Sequence, residues 1–132
     1  MSDEGDEPGG AEERLFTVEE ADAFLPDLRQ TLPAMQEARK VVLASAERVR
    51  GAVAGNGGGS PAGEYAEALE LIGRETERLS AEGIILRDLD AGLVDFPAER
   101  DGARVFLCWK LGEDSVAHWH PIDTGFSSRR PL

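Results

Sequence analysis

Two histidines, His118 and His120, flank Trp119 in the stretch AHWHPIDTGFSSRRPL. In a strand, positions two apart point to the same face. The pair therefore offers two imidazoles to one divalent metal such as zinc, which takes nitrogen, oxygen and sulfur ligands. Asp123 is taken as the third ligand, with Cys108 and Asp95 as its alternatives. A second chemistry uses the same region. Trp109 and Trp119 supply flat apolar walls, while His120 and Arg129 supply polar contacts. Such a set suits a small anionic or aromatic ligand, because an Arg fork matches carboxylate and phosphate. Against both stands a structural reading. Phe126 and Leu132 fold the tail back over the sheet, and Arg129 and Arg130 pair with surface acids.

Hairpin register decides what the histidines face. A tight turn centred on Gly112-Glu113 pairs Cys108 with Ala117 and turns the thiol away from both histidines. A slip of one residue pairs Cys108 with His118 and puts all three on one face. Both registers are open at this point. Cys108 sits mid-strand between Leu107 and Trp109, where a buried, inert thiol is the default and a nucleophile is not indicated. Asp88, Asp90 and Asp95 read as solvated residues around the Asp90-Ala91-Gly92 turn. No catalytic residue is assigned.

The elements that position these residues begin at LFTVEE. Thr17 followed by Glu20 is a capping box, with Phe16 placed to staple the first turn. Leu28, Met35, Val42 and Val49 then recur seven apart, a coiled-coil-like stripe. Pro26 and Pro33 lie within it and bend or split the first part of a helix running from about 17 to 52. The Gly-rich stretch 54–60 is a flexible linker. It is not a phosphate cradle, since no Gly-Lys-Ser/Thr follows. Pro61 opens a second helix to about residue 82, which Gly83 stops. Strands follow over about 84–120, with Asp101-Gly102 as a hairpin turn and Arg104–Lys110 the richest in β-formers. The tail is 121–132. The predicted class is α+β, a long antiparallel helical hairpin with coiled-coil character followed by a small antiparallel β-meander.

RLFTVEEADAFLPDLR, and the closing block from Gly83 to Leu132, resemble the bacterial family catalogued as domain of unknown function 2203. The stretches that carry this are Leu93–Pro97, Cys108-Trp109, Gly112-Glu113, Trp119-His120, Gly125-Phe126 and Arg129. The resemblance covers residues 14–132 and implies a bacterial cytoplasmic setting, with no activity, substrate or cofactor. In the family the position of His118 is more often aromatic. A site built on the His118/His120 pair would then belong to this chain alone.

The bulk numbers fit one domain of 132 residues. The net charge of −12 argues against nucleic acid, because phosphate binding needs bases. Six acids and no Lys or Arg fall in residues 1–13, which read as a disordered acidic tail. No apolar run approaches the roughly 18 residues of a membrane span, and no signal peptide opens the chain. With a single cysteine, a cytoplasmic location is expected. The expected function is a non-enzymatic, self-associating interaction or assembly protein. It forms a homodimer through Leu28, Met35 and Val42 of the helices and docks a protein partner. The alternative is a small metal- or anionic-ligand-binding protein, or a hydrolase, using the C-terminal His/Trp/Arg region.

Overall fold

The computed structural model describes residues 13–54 and 61–132. The acidic tail expected over 1–13, apart from Glu13, lies outside the described residues. So does the linker expected over 54–60, apart from Ala54. The architecture is α+β, helices against a five-stranded antiparallel sheet.

Thr17 caps helix α1 (Val18–Ala23) with the reciprocal bonds its sequence predicts. The Glu20 N–H donates to Thr17 Oγ1 and the Thr17 N–H to Glu20 Oε1, both at 3.0 Å. The chain breaks at Phe24 and resumes as α2 (Leu25–Ala54). Pro26 is the reason. It has no N–H for the Asp22 carbonyl, and its ring would strike that carbonyl if one helix ran through. In the first turn of a new helix the missing N–H has no partner to lose. The expected bent helix is thus split. α2 buries Leu25, Leu28, Leu32 and Met35. Helix α3 (Pro61–Ala81) ends as Gly83 predicts: Gly83 takes φ +90°, and the Ile84 N–H returns to the Leu79 carbonyl at 3.0 Å.

The strands are β1 (Ile85–Asp88), β2 (Leu93–Arg100), β3 (Ala103–Lys110), β4 (His118–Pro121) and β5 (Arg130–Pro131). Each pairs with the next in sequence. Asp101 and Gly102 join β2 to β3 with φ of 52° and 81°, the two positive values a two-residue hairpin needs. The tail does not merely lie over the sheet. Arg130 and Pro131 pair with Trp119 and His118 as a fifth strand, beyond the 84–120 span expected for the meander.

Alternation divides the sheet. Val94, Phe96, Ala98, Val105, Leu107 and Trp109 pack with Leu28, Leu32, Met35 and Leu79 in the core. Asp95, Cys108, His118 and His120 occupy the outer face. Leu28 and Met35 are therefore spent inside the chain, and they are not the free seam that a dimer through them requires. Among the described residues, no helix is long and apolar enough to cross a membrane.

Candidate functional site

The β3–β4 register is the one that gathers the ionisable residues. Cys108 pairs with His118 on one side and with Asp95 on the other. The turn between β3 and β4 is not tight, because contacts far away in sequence hold it open. Arg29 of α2 donates to the Glu113 and Asp114 carbonyls at 3.3 and 2.8 Å. The Val116 N–H donates to Asp22 Oδ1 at 2.8 Å. The Trp109 indole N–H reaches the Glu113 carbonyl at 3.1 Å.

Asp95 is 1% exposed, His120 2% and Cys108 0%. One carboxylate oxygen, the sulfur and one ring nitrogen lie within 4.8 Å of one another. Asp95 Oδ2 accepts from Arg87 Nε at 2.7 Å and lies 3.0 Å from His120 Nε2. The other imidazole nitrogen, Nδ1, is 2.9 Å from the Pro121 carbonyl. The Pro121 carbonyl and the Asp95 carboxylate both accept, so Nδ1 donates to the first and the Nε2–Oδ2 contact holds a proton of its own. Arg87 also lies over the Phe106 ring, 4.8 Å from its centre, and Phe106 leans on His120 at 5.6 Å.

Burial and then the Asp95 charge push the Cys108 thiol up to about 12, with the Arg129 guanidinium opposing them. Such a thiol is protonated and a poor nucleophile. Glu113 is partly buried, which opposes its charge. Hydrogen bonds from Arg129 and from the Lys110 N–H nonetheless hold its carboxyl below the usual range. Arg129 grips Glu113 through both terminal guanidinium nitrogens, at 2.8 and 3.1 Å.

The predicted site residues separate into two groups. His120, Cys108 and Asp95 come together, and His118 stands beside Cys108 on the same face. Asp123 is exposed in the turn after β4. Trp109 and Trp119 do not line a pocket with His120 and Arg129, because the sheet lies between. Trp109 is buried in the helix-side core, and Trp119 packs against that core beneath Arg100 and Arg130. Of the acids near the β1–β2 turn, Asp88 caps the Ala91 N–H and Asp90 pairs with Arg39 at 3.0 Å. Sequence reasoning missed Arg87, which nothing local distinguishes from a surface arginine. It named Glu113 only as a turn residue and within the resemblance.

No curated protein and no solved structure matches this chain. Asp95, Cys108, Glu113, His120 and Arg129 come from five separate stretches that carry the resemblance, and the fold sets them on or beside one sheet face. A family model described as Uncharacterized conserved protein (DUF2203) matches residues 14–132, and the chain belongs to that family.

Proposed function

We propose that the protein binds a divalent transition metal ion, zinc by its donor set, through Asp95, Cys108 and His120, and that it is a binding protein and not an enzyme. One observation carries this reading: a thiol, an imidazole and a carboxylate from three adjacent strands converge within 4.8 Å while fully buried. Thiolate, imidazole and carboxylate together suit zinc better than magnesium or calcium. The His120 Nδ1 bond to Pro121 is the kind that orients a ligating imidazole and leaves Nε2 for the metal. Two anionic ligands would balance the charge of the ion in a buried site. Cys108 and Asp95 thus replace Asp123 beside His120. A free thiol ligand also fits a cytoplasmic location.

Elemental analysis by mass spectrometry on untagged protein, with native mass in the same session, tests this. One bound ion per chain is expected, lost in Asp95→Asn, Cys108→Ser and His120→Ala. Wild-type protein that takes up no zinc after refolding with it would overturn the reading.

A second reading, self-association through the helices, has its own support. Leu43 and Leu69 are 52% and 44% exposed. A groove of about 520 Å³ runs between α2 and α3, floored by Ala34, Ala38, Val41, Ala68 and Leu71. Asp27–Arg78 and Arg48–Glu64, at 2.8 and 2.7 Å, support reading α2 and α3 as an antiparallel hairpin with coiled-coil character. A dimer by native mass that dissociates in Leu43→Glu or Leu69→Glu would establish it, and a monomer would end it.

A further inference from the structure

Among the described residues, two side-chain polar atoms are buried with no hydrogen-bond partner: Asp95 Oδ1 and His118 Nδ1. Their placement is not scattered. Asp95 is the cross-strand partner of Cys108, and Cys108 is the cross-strand partner of His118. The three form one row across β2, β3 and β4, on the face that also holds His120. Directly opposed residues have Cβ atoms about 4.5–5.5 Å apart and point the same way.

Buried polar atoms without partners are rare and call for an explanation. The neighbouring cations do not supply one. Arg87 is committed to Asp95 Oδ2, Arg129 to Glu113, and Lys110 lies over the Phe126 ring at 5.5 Å. The Cys108 S–H is a single weak donor, so it can serve at most one of the two.

Resting on the metal reading above, we propose that His118 is the fourth ligand, so that Asp95 Oδ1, Cys108 Sγ, His118 Nδ1 and His120 Nε2 make a closed centre. Three protein ligands would leave a position for water and hydrolytic chemistry, whereas four make a structural site. The closed set satisfies every group. Arg87 stays on Asp95 Oδ2, which frees Oδ1 for the ion. The His120 Nδ1–H stays on the Pro121 carbonyl while Nε2 turns from Oδ2 to the metal. Cys108 gives its proton to solvent and becomes a thiolate, and the proton of the Nε2–Oδ2 contact leaves to solvent as well. Thiolate and carboxylate then cancel the double charge, with both imidazoles neutral. The ion would pin three adjacent strands through side chains alone.

Cobalt(II) loaded into metal-free protein reads the coordination directly, with azide as the exogenous ligand. Wild type should show a thiolate-to-cobalt charge-transfer band and the intense visible bands of a four-coordinate ion, unchanged by azide. His118→Ala and the milder His118→Gln should keep the charge-transfer band, lose visible intensity and respond to azide. A wild type that responds to azide as the variants do would overturn the fourth-ligand assignment and leave the metal reading standing. A wild type with no charge-transfer band would sink the metal reading itself.

Discussion

His120 Nε2 lies 3.0 Å from Asp95 Oδ2 although 25 residues separate them, and neither side chain is more than 2% exposed. Arg87 completes the group at 2.7 Å. Removing the carboxylate leaves the buried His120 ring without its partner, while Arg87, 42% exposed, turns to water. Asp95→Ala should therefore cost about 1–3 kcal/mol of unfolding free energy, read from urea titration. His120→Ala should cost less, since Arg87 still holds the carboxylate. The double variant should fall short of the sum.

Cys108 should resist alkylation in the folded, metal-free protein. With its thiol raised to about 12 from an ordinary 9.0, the thiolate fraction near pH 8 is smaller by about a thousandfold. Iodoacetamide labelling followed by mass spectrometry should show a near-silent native thiol and prompt labelling in urea. Equal rates in both states would contradict the burial described.

Asp27 links α2 to α3 by accepting from both terminal nitrogens of Arg78, at 2.8 and 3.0 Å. That pairing outweighs burial and lowers the carboxyl below its ordinary value. A carboxyl depressed on folding adds stability above its unfolded pKa and loses it as pH falls through the folded one. The Asp27–Arg78 contribution should thus be intact at neutral pH and disappear below the usual carboxylate range. Solvent reaches the pair, so Asp27→Asn should cost up to about 1 kcal/mol at pH 7 and nothing once wild type is protonated. Unfolding curves of both proteins across pH 2–7 would check the convergence.

Gly92 should not tolerate a side chain. It takes φ +70°, and a Cβ there would sit 2.5 Å from Leu111 Cβ. Its carbonyl also accepts the Leu111 N–H at 2.8 Å, which limits retreat. Gly92→Ala should destabilise by about 1–3 kcal/mol, visible as a lowered Tm. Gly102→Ala has positive φ but open space around it and should lose less.

Local signals were readable from sequence wherever a single turn of chain decides the outcome. The Thr17/Glu20 box, the Asp101-Gly102 turn and the Gly83 stop each depend on neighbours only, and each formed as expected. The β3–β4 register could not be read in this way, because it depends on Arg29 and Asp22 holding the intervening turn from across the fold. With the register open, the side of Cys108 was open too. The two-residue strand β5 is too short to show any pattern. Asp95 looked like one more acid of a solvated turn, since sequence alone could not place Arg87 and His120 around it. The wall assigned to both tryptophans failed for a related reason: Trp119 alternates with His118 and His120, so a strand must send it to the opposite side.

The last residues of the sheet bear on how the molecule meets others of its kind. An open strand edge invites a further strand from another chain, the usual start of fibrous aggregation. β5 covers the outer side of β4, and the Leu132 N–H closes on the Ala117 carbonyl at 2.9 Å. The edge that remains includes Pro131, which has no N–H to offer a newcomer. Two residues, one of them a proline, thus act as an end-stop against edgewise stacking, and trimming them would expose the backbone of His118 and Trp119 as a template for it.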